Sequence, residues 1–140
     1  MERALAGESN NLPAYAQLTL AGQSAYTWAG STTDVRALQR PTGTDRFAAT
    51  WYAGGSFTLD LALTDGSPHQ VALYAVDWDI RSRAERIDVL DAATNALLDT
   101  RTLANFDNGQ SLIWTVTGHV VFRVMLTGGV NPIISGLFIE

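Results

Sequence analysis

The stretch that decides the fold is Phe57-Thr58-Leu59-Asp60-Leu61-Ala62-Leu63. Phe57 and the three leucines stand two residues apart, with Thr58 and Asp60 between them. This is the period of a β-strand that has one buried face and one solvated face. The stretch therefore predicts a strand against a hydrophobic core.

The residues that follow predict a turn and then a second strand. In Thr64-Asp65-Gly66-Ser67-Pro68, Gly66 tolerates a positive φ and Pro68 cannot donate a hydrogen bond to a strand ladder. Residues 71–78 are apolar on both alternations, which predicts a central strand covered on both faces.

Further strands are predicted on both sides of this pair. Residues 86–90 and 96–100 flank a turn in which Asn95 tolerates the left-handed conformation, and they predict a β-hairpin. The tight Thr117-Gly118 turn predicts a second hairpin between the strands on either side of it. The other predicted strands cover residues 16–20, 25–28, 47–52, 112–116, 120–126 and 133–140.

One short helical turn is predicted at residues 34–39, capped by Thr32 or Thr33 and ended before Pro41. With about nine or ten closely spaced strands and almost no helix, the sequence predicts an all-β fold, a β-sandwich of the jelly-roll type. Residues 1–13 show no periodicity and are predicted to be a linker or loosely packed leader. Residues 14–140 then form a single domain.

Composition excludes several function classes. The chain is 46% hydrophobic and 16% charged, which is typical of a globular domain, and no apolar run approaches the roughly 20 residues that span a membrane. Its net charge is −5, so we do not expect nucleic-acid binding, and the lack of a long apolar run means that we do not expect membrane insertion. The absence of cysteine excludes thiolate nucleophiles, thiolate zinc sites and disulfides.

Catalytic motifs are not found either. His69 and His119 each begin a predicted strand beside a turn and are interpreted as polar residues at strand edges. The chain has no Gly-x-Ser-x-Gly elbow and no glycine-rich phosphate loop. A glycosidase needs only two carboxylates, so hydrolysis is not excluded by the acids alone. A small sandwich seldom forms a deep cleft, and we expect the protein not to be an enzyme.

The most unusual segment is residues 74–83, where an apolar strand runs into two acids that bracket Trp78 and then into arginines. Asp77 and Asp79 share a face opposite the tryptophan. Two interpretations remain open. Either the acids pair with the arginines and organise the loop, or Trp78, Asp79 and Arg81 meet at the rim of the sandwich and bind a sugar. Aromatic faces stack on the C–H side of a sugar ring, and planar charged groups bind adjacent hydroxyls.

Other candidate ligand-binding residues lie next to turns. Trp51 and Tyr52 end a strand, and because neighbouring residues face opposite sides, at most one of them is expected in the core. Residues 106–110 predict a polar loop that begins with an aromatic residue, and Phe106 and Asn108 are the candidate ligand-binding residues in it.

Two further tryptophans and the terminal acid are less clearly placed. Trp114, flanked by apolar residues, is predicted to be core, whereas Trp28 could be core or exposed. Glu140 ends the last strand and could join other oxygen ligands around a calcium ion, or could be a solvated carboxylate.

Several segments resemble a β-sandwich module found at the ends of large bacterial secreted and surface proteins. The resemblance spans roughly residues 26–140 and is carried by residues 46–52, 57–61, 64–66, 69–79 and 134–140. The module is similar to the galactose-binding and malectin-like jelly rolls, which include many carbohydrate-binding modules. This resemblance implies an extracellular or cell-surface accessory module that binds a polysaccharide or glycan alongside other domains of a parent protein. It also implies a possible structural calcium, although this chain ends in Glu140 where the module has aspartate.

Three functions therefore compete. A carbohydrate-binding module requires at least one exposed aromatic beside a polar partner. A structural or protein-interaction module requires that all four tryptophans be core and that any exposed apolar surface be flat. A hydrolase requires two acids facing each other across a pocket.

Overall fold

The computed structural model describes residues 2–8, 10–40 and 43–140. These ranges contain strands and no helix, which confirms the all-β class, and thus no helix among them is long and apolar enough to cross a membrane. The thirteen strands exceed the number predicted. They are β1 (Glu2–Leu5), β2 (Ala16–Ala21), β3 (Ser24–Thr32), β4 (Leu38–Gln39), β5 (Arg46–Tyr52), β6 (Ser56–Leu63), β7 (His69–Ala75), β8 (Ala84–Asp91), β9 (Leu97–Ala104), β10 (Gln110–Val116), β11 (His119–Gly128), β12 (Ile133–Ile134) and β13 (Gly136–Ile139).

All strand pairs are antiparallel, and the strands form a sandwich. One layer is a five-stranded sheet in the order β2-β6-β11-β8-β9. The other layer contains the sheet β1-β13-β7-β10 and, beside it, the sheet β12-β5-β3, with β4 also paired to β5. Ser135 alone separates β12 from β13, so the chain passes directly from one sheet of this layer to the other. The predicted β-sandwich is confirmed.

The core lies between the layers and is built from alternating strand residues. Phe57, Leu59, Leu61 and Leu63 of β6 are each at most 4% exposed, as the period of two predicts. Each such side chain contributes roughly 1.5–3 kcal/mol by leaving water. Gly66 lies in the predicted turn after β6 and has the positive φ expected there, 73°.

The predicted hairpin around Thr117-Gly118 is wrong, although both of its strands exist. β10 pairs with β7 in one layer, whereas β11 pairs with β6 and β8 in the other. The two residues therefore connect the layers, and the Trp114 and Phe122 rings pack across the core with centroids 5.1 Å apart. A short polar turn permits either connection, so local sequence could not distinguish them. The β8–β9 hairpin forms as predicted, with Asn95 at a φ of 61°.

The predicted helical turn at residues 34–39 is also wrong. The Thr32 hydroxyl does accept the Asp34 N–H, at 3.1 Å, but the Asp34 carboxylate then accepts the Arg36 N–H, at 2.9 Å, and closes a single turn. The chain leaves this turn extended as β4, which pairs with β5. An aspartate side chain competes with the helix for backbone donors, which explains the outcome. Pro41 lies outside the described residues.

Two boundaries also differ from the prediction. Within the segment predicted to be a loosely packed leader, residues 2–5 form β1 against β13, and Ala4, Leu5 and Ala6 are at most 2% exposed. β7 ends at Ala75 rather than at Trp78, and alternate residues on its outer face are half-buried rather than covered. The Ala-Leu-Ala run at residues 4–6 is too short to predict β1 from the sequence, but pairing with the edge of β13 stabilises this strand.

Candidate functional site

β3 and β5 place three aromatic rings on the outer face of the second layer. Tyr26 and Trp28 are two residues apart on β3, and Tyr26 pairs with Thr50 of β5. Tyr52 follows Thr50 by two residues and faces the same side. Its neighbour Trp51 faces inward and is 6% exposed, in agreement with the expectation that at most one of the two would be core.

These rings line an open cleft of about 260 Å³. Tyr26 is 56% exposed, whereas Trp28 and Tyr52 are half-buried. The Tyr26 and Trp28 rings meet edge to face, with centroids 6.4 Å apart. The cleft also contains residues from the loop after β7 and from the segment before β12. Its lining consists of Tyr26, Trp28, Thr50, Tyr52, Asp79, Arg83, Asn131 and Ile133.

Asp77 organises the loop between β7 and β8. This side chain is 3% exposed, and its carboxylate accepts the backbone N–H groups of Arg81 and Arg83, both at 3.1 Å. It also accepts the Arg83 guanidinium at 2.6 Å. These bonds hold Ile80 and Ser82 at a φ of 53° each, which non-glycine residues seldom adopt. For Asp77 the structural interpretation of the acidic segment is therefore correct.

The Arg83 guanidinium connects three polar side chains at the cleft. Besides Asp77, its Nη1 donates to Asp79, and its Nε donates to the amide oxygen of Asn131 at 2.8 Å. Its Cζ lies 5.7 Å from the centre of the Trp28 ring. Because the Arg83 side chain is only 5% exposed, these bonds fix Asp79 and Asn131 in place.

The charge on Asp79 is stabilised by arginines. Partial burial raises the pKa of this carboxyl, but the hydrogen bond and charge of Arg83 outweigh that effect and hold the pKa below its usual range. Arg81 Nε lies 3.3 Å from the second carboxylate oxygen, and the Arg81 side chain is 59% exposed. Asp79 is therefore an ionised hydrogen-bond acceptor at neutral pH.

Glu85 lies next to the cleft but inside the core. It is fully buried, and its Oε1 accepts the backbone N–H of the cleft residue Ile133 at 2.9 Å. Its Oε2 has no hydrogen-bond partner among the described residues. Burial raises the pKa of Glu85 to about 8, so the side chain is largely protonated at neutral pH.

The cleft gathers only part of the predicted ligand-binding set. Tyr52 and Asp79 line it, and Arg81 stands beside it through its contact with Asp79. Trp51 is in the core instead, and so is Phe106, which is 2% exposed and whose carbonyl accepts the Asp77 N–H at 3.0 Å. Inward alternation accounts for Trp51, and an apolar side chain in a loop can still turn into the core.

The two other predicted residues lie outside the cleft. Trp78 is half-buried, and the Arg36 guanidinium stands 4.4 Å from the centre of its ring. Asn108 is exposed in the loop before β10. Tyr26 and Asn131 were missed. The aromatic pair at residues 26 and 28 of a predicted strand was a usable signal for Tyr26, whereas Asn131 reaches the cleft only through tertiary structure.

The possible calcium site at Glu140 finds no supporting cluster. Glu140 is exposed, and its backbone pairs with Gln70 at the end of the sheet. The described residues contain no group of three or more His, Cys, Asp or Glu side chains that could hold a metal ion. Calcium also accepts backbone and amide oxygens as ligands, so calcium binding at Glu140 stays a prediction.

Comparison with known proteins finds similarity in structure alone. No protein-family model and no curated protein matches the chain. A carbohydrate-binding module of Cellvibrio mixtus lichenase 5A in complex with cellotriose is 10% identical, with a TM-score of 0.48 over 87% of this chain and 88% of that one. A family 35 carbohydrate-binding module from Clostridium thermocellum is 10% identical, with a TM-score of 0.46 over 87% and 90%.

A third similar structure is the adhesin domain of Lys-gingipain from Porphyromonas gingivalis, 11% identical, with a TM-score of 0.45 over 92% of each chain. At these identities and TM-scores, the function has to be argued from the residues of this chain.

Proposed function

We propose that this domain is a non-catalytic carbohydrate-binding module of a larger bacterial extracellular protein, and that the cleft on the outer face of β3 and β5 binds the sugar. The observation that carries the proposal is the combination of three accessible aromatic rings with fixed polar groups in one cleft. The extracellular and bacterial parts of the proposal rest on the sequence resemblance.

The chemistry of the cleft suits a sugar ring. A pyranose has an apolar C–H face, which packs on an aromatic ring, and a rim of hydroxyls, which need both donors and acceptors. Tyr26 and Trp28 supply the aromatic surface, and Asp79 and Asn131 supply the polar groups. The volume of about 260 Å³ lies just below the range of roughly 300–1,000 Å³ for pockets that enclose drug-sized ligands. It suits a short segment of a glycan.

The same lining favours binding over hydrolysis. Glycosidases place two carboxyl groups on either side of the scissile bond. Among the described residues that line the cleft, Asp79 is the one carboxylate. Arg83 also engages Asp79 directly, which leaves it ionised and poorly suited to act as an acid.

A polysaccharide screen with matched variants tests the proposal. The purified domain is assayed by affinity electrophoresis and pull-down against soluble and insoluble polysaccharides, with and without calcium. Tyr26→Ala and Trp28→Ala are expected to weaken binding by roughly tenfold or more, because each removes a stacking surface. Trp78→Ala is the control, since it removes a half-buried tryptophan outside the cleft.

The variants must retain the wild-type circular dichroism spectrum for the comparison to hold. Unchanged binding in Tyr26→Ala and Trp28→Ala would place the site elsewhere, and an equal loss in Trp78→Ala would show that the effect is not specific to the cleft. No binding to any polysaccharide would refute the proposal.

A second candidate, a protein-interaction module, is favoured by a different surface. Val35 is 79% exposed and Ile113 is 48% exposed, and both line a shallow groove of about 400 Å³ with Phe138. Exposed apolar patches of this kind often mark contacts with other proteins or domains. If the screen finds no sugar, this groove becomes the first place to look for a partner.

A further inference from the structure

Asn131 presents a hydrogen-bond donor to the cleft. Its amide oxygen is occupied by the Nε–H of Arg83 at 2.8 Å, which fixes the orientation of the amide. The Nδ2 group, with two donor hydrogens, has no hydrogen-bond partner among the described residues. Since Asn131 lines the cleft, this donor is available to a ligand.

Asp79 presents the opposite chemistry. An ionised carboxylate accepts hydrogen bonds and cannot donate one. One oxygen accepts from Arg83 Nη1, and the other lies near Arg81 Nε, which leaves further lone pairs on both oxygens. The cleft therefore carries a fixed acceptor and a fixed donor, both held by Arg83.

The charges around the cleft cancel. Asp77 and Asp79 are balanced by Arg81 and Arg83. The one cation in the described lining is Arg83, and its Nε and Nη1 are already bound to Asp77, Asp79 and Asn131. Because the Arg83 side chain is only 5% exposed whereas that of Asp79 is 33% exposed, a carboxylate or sulfate on a ligand would meet the negative charge of Asp79 before it could reach the guanidinium.

We propose that the cleft selects uncharged sugars, through two hydroxyls of which one donates to Asp79 and the other accepts from Asn131, and that it rejects uronic acids and sulfated sugars. This inference rests on the proposed sugar-binding function. A hydroxyl can serve either residue because it both donates and accepts. A carboxylate only accepts, so it cannot bond to Asp79 and is repelled by it.

The test compares two forms of each polysaccharide that binds, which differ only at the sixth carbon. Acidic polymers are carboxyl-reduced to hydroxymethyl forms, and neutral polymers are oxidised at the hydroxymethyl group to carboxylate forms. Isothermal titration measures both affinities. The hydroxymethyl form is expected to bind at least about tenfold more tightly, a ratio equivalent to 1.4 kcal/mol. Equal or tighter binding of the carboxylate form would overturn this inference and leave the proposed function standing. Absence of binding to either form would refute the proposed function and this inference with it.

Two variants of nearly unchanged shape move the selectivity in opposite directions. Asp79→Asn keeps an oxygen for Arg83 but removes the charge, so the ratio of the two affinities is expected to fall towards one. Asn131→Asp keeps an acceptor for Arg83 but replaces the donor with a charge, so neutral binding should fall about tenfold and the ratio should rise. A purely structural role would weaken both forms equally. A ratio that neither variant changes would overturn the proposal.

Discussion

Two half-buried tryptophans each have an arginine over the ring, yet their surroundings differ. At Trp28, the side chain of Arg83 is 5% exposed, and its guanidinium donates hydrogen bonds to Asp79 and Asn131, which line the cleft together with the ring. At Trp78, Arg36 is 24% exposed, pairs with its sequence neighbour Asp34, and lies nearer to the ring, at 4.4 Å against 5.7 Å.

The difference shows what separates a binding site from a stacked surface pair. An aromatic ring, an arginine and an acid are present in both regions. In the Trp78 region the Arg36 guanidinium covers the ring and binds the Asp107 carbonyl at 2.9 Å, so the three groups satisfy one another. In the Trp28 region the arginine is buried, and the groups that it holds keep unused hydrogen-bonding capacity towards the cleft.

The largest expected effect comes from removing Arg83, and removal of Arg36 is the comparison. Arg83→Met leaves the buried carboxylate of Asp77 without its cation, and losing one partner of a buried pair costs about 3–5 kcal/mol. Arg36→Met should cost less, because the Arg36–Asp34 pair is partly exposed to water and such pairs contribute little. Urea unfolding monitored by tryptophan fluorescence measures both changes. Equal losses would mean that Arg83 stabilises the fold no more than a surface residue does.

The second prediction concerns the pH dependence of stability, and it involves Glu85, the buried acid next to the cleft and thus in the Trp28 region. An acid whose pKa is raised from 4.5 to about 8 on folding holds an extra proton in the folded state between those values. Stability therefore decreases as pH rises through this window, by up to about 1.4 kcal/mol per pH unit and by roughly 2–4 kcal/mol between pH 5 and pH 8. Urea unfolding at several pH values measures this slope.

Glu85→Gln tests the assignment of the slope. Glutamine keeps an oxygen for the Ile133 N–H but cannot ionise, so the decrease in stability between pH 5 and pH 8 should become shallow. Glu140→Gln is the control, since it removes an exposed acid and should leave the slope unchanged. A slope that survives Glu85→Gln would show that another group is responsible.

The sequence alone predicts which side chains are buried where this depends on the alternation of residues along a strand. It does not predict contacts between residues that are far apart in the chain. The period of two in β6 predicts which side chains are buried, and the adjacency of Trp51 and Tyr52 predicts that they face opposite sides. Asn131 is 48 residues from Arg83, and no local pattern indicates their hydrogen bond. Trp78 and Asp79 looked like one site, yet only Asp79 reaches the cleft, because the loop turns after Asp77.

The third prediction disrupts the Trp78 region without changing the cleft. Gly109 has a φ of 87°, and a Cβ there would lie 1.9 Å from the Tyr74 hydroxyl, which donates to the Arg36 carbonyl at 2.6 Å. Gly109→Ala is therefore expected to cost about 1–3 kcal/mol more than Gly66→Ala. Gly66 has a similar φ of 73°, but open space surrounds its Cβ position, so it isolates the clash from the backbone strain.

Thermal and urea unfolding measure the difference between the two glycine variants. The sugar affinity of folded Gly109→Ala should equal that of the wild type. A loss of affinity would show that the Trp78 region supports the cleft after all, and equal stabilities would show that Tyr74 moves aside at no cost.

The smallest effect is expected at Asp34. The hydrogen bond from the Arg36 side chain holds the pKa of this carboxyl below its usual range, with a further contribution from the Arg36 backbone N–H. An acid with a lowered pKa stabilises the folded state above its unfolded value, and this stabilisation is lost as pH falls through the folded value. Asp34→Asn keeps an oxygen for the backbone N–H, so its deficit against wild type should be small at pH 7 and should vanish in acid. The pH dependence is opposite to that of Glu85: protonation of Asp34 destabilises the folded state as pH falls, whereas ionisation of Glu85 destabilises it as pH rises. A deficit that does not shrink as pH falls would mean that Asp34 acts through packing rather than charge, and the contrast between the two tryptophan regions would then lose its electrostatic part.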